Sequence, residues 1–299
     1  MNTSNNQEAG QTVGVVGSDV FNGQYDPPLY KFASDAHRIQ MYRNNGQIHV
    51  LVSQTVDLGL MTEHFLAFSF GDIPADSSTV LDFSDSSKIF AQYGVLEGAA
   101  YKPYLIKSGK FSVSLDDKER LWGAFNCQAQ FNSEQVHFEN GQVDLTGFIT
   151  PGTDRQAAVA GRNGVGTLHG KMSGGPSPVA DFSATEVQRI FVPANPIIGL
   201  EAYWLLRAYW YDEFPPIQNL VVVTIVDGAV GNKFDLAGNT DVAVTYLRFN
   251  QSLIGEAIAG TLEFFSRPET GQAVGESKDV KMTGNSPADY VMEMAFNIT

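Results

Sequence analysis

Cysteine is all but missing from this sequence: Cys127 is the only one in 299 residues. A lone thiol excludes an intramolecular disulfide framework, a cysteine-rich zinc site and a CxxC redox centre. Charge is scarce too, at 17% of residues, and one-sided, with 33 Asp and Glu against 19 Lys and Arg for a formal charge of -14. An acidic surface repels phosphate backbones and anionic headgroups. The cations Lys102, Lys107, Lys110 and Arg120 are scattered among Asp116, Asp117 and Glu119 rather than gathered in a basic patch, so no nucleic-acid partner is expected. Long apolar runs are absent: the longest candidate, Leu220 to Val226, falls far short of the roughly 18 residues of a membrane-spanning helix, and no integral membrane segment is expected. The first eleven residues carry neither the basic nor the apolar region of a secretion signal. The expected location is cytoplasmic by default, with signal-independent export as the exception.

What the sequence does have is strand grammar. Apolar residues alternate with period two or form short β-branched runs bounded by Gly, Pro, Asn, Asp or Ser, as in 48–52, 65–70, 110–115, 202–211, 220–226 and 242–246. Hairpin signals stand at Asn45-Gly46, Asn140-Gly141, Asp227-Gly228 and Gly238-Asn239. Helical turns are expected only at Asp35 to Tyr42 and Gly255 to Ala259. Cys127 shares one strand face with Gly123, Phe125, Ala129 and Phe131, the setting of a small buried hydrophobe rather than a nucleophile.

An internal repeat organises the chain. The block from Leu121 to Gly147 aligns without a gap on Ile258 to Gly284, with Gly123 on Gly260 and Gly147 on Gly284, 137 positions apart in both cases. Upstream, Leu81-Asp82-Phe83 and Lys88 to Tyr93 align on Phe234-Asp235-Leu236 and Asp241 to Tyr246 at an offset of 153. The 16-residue difference between 153 and 137 places an insertion in the first copy, around Gly94 to Lys110. The expected fold is all-β, two tandem antiparallel β-sandwich-like domains related by internal duplication. Residues 1–24 are read as a polar tail, 25–149 as the first domain, 150–185 as a Gly/Pro-rich connector and 186–299 as the second domain.

Chemistry-bearing motifs are weak. Gly164-Val-Gly166 and Gly170-Lys171 imitate a phosphate loop, but Val165 stands where its first glycine belongs and Met172 where Ser or Thr belongs. Ser173 misses the GxSxG pattern. The histidines, His37, His49, His64, His137 and His169, all fall in the first 169 residues without HxH or HExxH spacing. Two acidic clusters, Asp72, Asp76, Asp82 and Asp85, then Asp227, Asp235, Asn239 and Asp241, offer oxygen ligands of the kind calcium takes; Asp and Asn also close turns on their own backbone, and that is the expectation. No catalytic residue, metal or cofactor is expected. Aromatics concentrate from Tyr203 to Phe214. On a strand, Trp204 and Trp210 share one face and Tyr203, Arg207, Tyr209 and Tyr211 the other. Burial is the expectation for this segment, and those four are the candidate ligand-binding residues if a face is open.

The function these features suggest is a non-enzymatic binding or self-assembling protein of unknown ligand, with a protein partner or self-association expected and carbohydrate possible. The alternatives are a carbohydrate-active hydrolase or carbohydrate-binding protein, which as a hydrolase needs paired carboxylates across a groove, and a toxin-like protein inserting the Ser77 to Lys88 and Lys110 to Leu115 segments into membranes.

Overall fold

The computed structural model describes residues 12–22, 30–36, 38–57, 61–97, 100–150, 165–175, 181–194, 201–212, 217–249, 253–284 and 289–299. The chain divides into two compact units, Met1–Thr153 and Asp154–Thr299. The first contains β1 Val13–Asn22, β2 Tyr30–Ala33, β3 Ile39–Asn44, β4 Gln47–Asp57, β5 Met61–Gly71, β6 Ser77–Asp82, β7 Ile89–Glu97, β8 Ala100–Leu115, β9 Arg120–Phe131 and β10 Glu134–Thr146. The second contains β11 Gly166–Ser173, β12 Asp181–Ser183, β13 Glu186–Val192, β14 Tyr203–Tyr211, β15 Gln218–Val226, β16 Lys233–Asp235, β17 Val242–Arg248, β18 Leu253–Ser266, β19 Ala273–Gly284 and β20 Tyr290–Ile298. Among the described residues the one helical element is a 3-10 turn at Pro268–Thr270.

Each unit is a single antiparallel sheet curled over on itself, so that inward residues of every strand fill one core, a sandwich-like arrangement. The strand order is β2-β1-β10-β9-β8-β7-β5-β4-β3 with β6 on β8, and β12-β11-β20-β19-β18-β17-β15-β14-β13 with β16 on β18. The two orders are the same element for element, which makes the units structural duplicates. In the first unit the curl closes where the ends of the sheet meet: Ile149 N donates to Met41 O (2.8 Å), while the Thr12 hydroxyl accepts from Met41 N (2.9 Å) and donates to Gly147 O (3.0 Å). Phe68, Phe111, Phe125 and Phe138 meet at the centre of that core; Phe68 lies 5.2 Å from Phe111 and 5.3 Å from Phe125, centroid to centroid. The second core is built around Phe182, Trp210, Tyr246 and Phe264 instead.

Strand periodicity places most elements where they are expected, and local signals mislead at several points. Neither expected helical turn forms a helix: Arg38 N donates to Asp35 O (2.8 Å) in a single turn before β3 begins at Ile39, and β18 runs through Gly255 to Ala259. Asn45-Gly46 makes the β3–β4 hairpin with both residues at positive φ, 51° and 72°. Asn140-Gly141 does not turn the chain; Asn140 has φ 52° but sits in a bulge within β10. Val13 to Asn22, expected in the polar tail, form β1 between β2 and β10, and Gly166 to Ser173 and Asp181 to Ser183, expected in the connector, form β11 and β12. Their glycines masked strands whose inward residues, Val16, Val20, Leu168 and Phe182, are core.

The 137-position alignment is overturned, and the upstream alignment, 153 positions apart, extends through the chain instead with shifts of one or two positions. Gly123 lies in β9, flanked by Val113 and Val143, and its structural counterpart is Gly275 in β19, flanked by Phe264 and Phe296. Gly260 lies in β18, the counterpart of β8, and matches Gly109. The carbonyl of Gly109 accepts from Phe83 N (3.1 Å) and that of Gly260 from Leu236 N (2.9 Å), which sets Phe83 on Leu236 as the upstream alignment has it. The slip of 16 positions is about one strand and its turn: neighbouring strands of a curled sheet share one alternation, so a repeat displaced by a strand aligns almost as well. No 16-residue insertion is needed, because 94–97 and 100–110 are β7 and β8 residues with counterparts in β17 and β18.

Gly109 and Gly260 have φ of 114° and 109°, and a Cβ would lie 2.1 Å from Asn126 O in the first case and 2.6 Å from Asp279 O in the second. Gly109→Ala and Gly260→Ala are each expected to cost about 2 to 4 kcal/mol in urea unfolding, strain plus backbone clash. Gly46→Ala, at φ 72° in open space, is expected to cost only about 1 kcal/mol.

Candidate functional site

Two places in the first unit carry polar side chains in an arrangement beyond what the fold needs. One is inside the core. Inward parity on β5 runs His64, Leu66, Phe68 and Phe70, so the strand that buries three apolar residues buries an imidazole as well. His64 Nδ1 lies 2.6 Å from Tyr93 Oη and 3.0 Å from Tyr30 Oη, and the two hydroxyls contact each other. Burial holds the His64 pKa down at about 4 and pushes both tyrosines up, so all three groups are neutral at pH 7. Two hydroxyl protons serve this triangle when Nδ1 accepts, which assigns the ring proton to Nε2. That Nε2 is buried and has no hydrogen-bond partner. Nearby, Tyr104 donates to Glu134 Oε2 (2.5 Å), which also holds Lys102.

The duplicate position in the second unit is filled differently. Tyr246 matches Tyr93, and Asn219, across from Arg248 as His64 is from Val95, stands in for the imidazole. Tyr246 donates to Asn219 Oδ1 (2.6 Å), Asn219 Nδ2 donates to Asp212 Oδ1 (3.0 Å), and Arg248 lies 2.7 Å from Asp212 Oδ2. Burial pushes the Tyr246 hydroxyl up to about 12. Sequence reading missed both clusters and a second buried ion pair, Arg38 with Glu63. The Tyr93 and Tyr246 alignment and the inward parity of His64 were the available signals.

The other place is on the outer face. Bulges interrupt β8 between Ile106 and Ser108 and β10 between Phe138 and Gly141, the latter shifting the register of β10 against both β9 and β1. Because they fall side by side, the sheet dips there into an open groove of about 410 Å³ lined by Ser108, Asn126, Gln128, His137, Glu139 and Asn140. Gln128 accepts from Ser108 Oγ (3.4 Å) and donates to Gln135 (2.9 Å), Asn126 Oδ1 accepts from Lys110 N (3.3 Å), and Asn140 Nδ2 donates to Asp19 (2.9 Å). Cys127 adds backbone to this wall, but its thiol points into the core, and burial pushes its pKa up, away from thiolate chemistry.

The residues singled out in the sequence are placed as follows. Arg207 and Tyr209 are buried, at 0% and 1% exposure, and Tyr203 and Tyr211 are half-buried, so β14 presents no open Tyr and Arg platform. Trp204 and Trp210 do share the inward face, Trp210 stacked on Phe182 at 4.5 Å and Trp204 half-buried beside Phe191. The acidic loops are turns closed on themselves: Asp82 accepts from Ser84 N and Oγ, Asp85 from Ser87 N and Oγ, and Asn239 from Asp241 N. His49 bonds Ser69 and stacks on Tyr42, and His169 is exposed on β11. His37 and Phe214 lie outside the described residues. Ser77 to Asp82 pair in register with Lys110 to Leu115 as β6 on β8.

Fold and site together define a tandem pair of duplicated, curled antiparallel β units, the first with a buried His-Tyr-Tyr triangle and an open polar groove. Comparison with protein-family models, curated proteins and solved structures finds no match.

His64 gives a signed pH dependence. Its folded pKa of about 4 lies below the ordinary 6.5, so the unfolded chain takes up the proton first. Stability is full above pH 6.5 and falls as pH drops from 6.5 to 4, by about 3 kcal/mol in all. Urea midpoints across that window are expected to fall in the wild type and to stay nearly flat in His64→Gln. Trp210→Ala is expected to cost about 3 to 5 kcal/mol and Trp204→Ala clearly less, since the latter is already partly exposed.

Proposed function

We propose that this is a non-enzymatic binding protein whose ligand site is the bulge-lined groove on β8, β9 and β10. The observation that carries this reading is the groove itself: β8 and β10 are bulged at one level on either side of β9, and the hollow they leave is lined by side chains that retain hydrogen-bonding capacity toward solvent. Asn126 uses only its oxygen within the protein, and Gln128 has a second N–H to offer. Such groups bind and orient; the lining offers one carboxylate, Glu139, where carboxylate hydrolysis requires two.

The test is a thermal-shift screen of the intact chain against a mixed panel of neutral sugars, nucleotides and peptides. A true ligand in hundredfold excess over its Kd stabilises by about 2.7 kcal/mol, a shift of several degrees. The doubly substituted Asn126→Ala/Gln128→Ala protein is expected to lose the shift while keeping its own melting temperature. Shifts that persist in that variant would place the site elsewhere, and chemical turnover of a bound compound would make the protein an enzyme. The self-assembling form of the reading is favoured by Val13 and Val15, 46% and 48% exposed, with Val15 across Asp144 from Trp122. Light scattering that reports a monomer at every concentration removes that form.

A further inference from the structure

We infer that the outer face of β8, β9 and β10 takes a neutral polyhydroxylated chain, a glycan, laid along β9 from the groove to Trp122; this rests on the reading of the groove as a ligand site. Outward parity on β9 runs Trp122, Ala124, Asn126, Gln128 and Gln130. Beside Gln128 stand Ser108 on β8 and His137 on β10, and beside Ala124 stand Ser112 and Gln142. Four residues of strand separate Trp122 from Asn126, about 13 Å, so the indole and the groove lie on one line at the distance of a few sugar rings.

The chemistry of that line is selective. Side-chain amides and hydroxyls both donate and accept, as sugar hydroxyls do, and an exposed indole, 39% accessible, offers an apolar face for the C–H side of a pyranose. Of the charges nearby, Arg120 is held by Asp144 at 2.8 Å and reaches over the Trp122 ring at 5.7 Å, and Lys110 stands across from Asp82 in the β6–β8 register. Glu139 and the net charge of -14 disfavour an anionic ligand.

The second unit shows that the fold does not dictate this surface. With Gly123 on Gly275, Trp122 corresponds to Val274, Ala124 to Glu276, and Gln128, past the bulge, to Lys281. There the same face is charged, with Lys278 on Glu276 at 2.5 Å and Lys233 on Glu263 at 3.6 Å. One copy of a duplicated face has a solvated ion-pair surface, and the other has replaced it with amides and an indole.

The experiment is affinity electrophoresis of the intact protein through native gels containing starch, mixed-linkage β-glucan, galactomannan or arabinoxylan, with heparin and gelatin gels alongside. The variants are Trp122→Ala, Trp122→Phe, Asn126→Ala/Gln128→Ala and, in the second unit, Lys281→Ala, each checked for unchanged melting. The inference expects retardation by at least one neutral polysaccharide, weakened roughly tenfold by Trp122→Ala, about 1.4 kcal/mol, largely retained by Trp122→Phe and untouched by Lys281→Ala. Retardation indifferent to both Trp122→Ala and the groove variant would overturn the assignment to this face. Retardation only by heparin or gelatin, lost in the groove variant, would overturn the glycan while leaving the groove a ligand site. No retardation in any gel sinks the glycan, and a thermal-shift screen that is also blank then sinks the ligand site with it.

Discussion

The structure depends on one backbone constraint, the close approach that Gly109 and Gly260 allow. At these points a long strand changes partners along a single edge. β8 pairs with β7 as far as Leu105 and with β6 from Lys110; between them lie the bulge at Lys107 and, two residues on, the glycine. Its positive φ and missing Cβ let the neighbouring strand's carbonyl sit where a methyl group would be. The bend this produces curls the sheet enough for its ends to meet over one core, and in the first unit it also opens the groove. Fold and candidate site therefore share a cause.

Within the cores, the duplicated tyrosine shows how one position accepts two polar solutions. Tyr93 and Tyr246 each bring a hydroxyl into an apolar interior, where an unmet hydroxyl costs about 1 to 3 kcal/mol. The second unit meets the need with Asn219 and an ion pair. The first uses His64 and Tyr30, and the imidazole stays neutral because charging it in that setting is unfavourable. The first solution leaves a ring nitrogen without a partner, and the second commits a charged pair to the interior, where removal of either member exposes the other's desolvation cost.

Much of the fold was legible because period-two alternation needs no context: 65–70, 110–115 and 220–226 read as strands and are strands. The duplication was legible too, through Leu81 to Phe83 and Lys88 to Tyr93. Register was not. Alternation carries the same phase in neighbouring strands, so Gly123 was set on Gly260, a glycine one strand away, and Asn140-Gly141 read as a hairpin because the positive φ of a turn and of a bulge select the same residues. The site was less legible still. Arg207 and Tyr209 looked like a binding face because aromatic and cationic side chains serve recognition and burial alike, and sequence does not say which side of β14 is covered. His64 went unremarked because a single inward histidine leaves no spacing motif; only its parity with Leu66 and Phe68 marks it. The groove could not be read at all from local sequence, since it forms where bulges on β8 and β10, at 106–108 and 138–141, fall on either side of β9.

Duplication supplies its own control for telling structural from functional chemistry. Both copies keep the strand order, the bulge and following glycine on β8 and β18, the inward tyrosine and the turns closed by Asp82 and Asp235, so these belong to the fold. They differ in what faces solvent on β9 and β19. An exposed strand face in an acidic protein is most simply solubilised by alternating charges, as Glu276, Lys278 and Lys281 do on β19. The first unit has Trp122, Ala124, Asn126 and Gln128 there, giving up that charge and leaving a large apolar ring in water, without any demand from the shared backbone. This departure from its own duplicate, toward lower charge and greater stacking area, is what the proposed ligand reading accounts for.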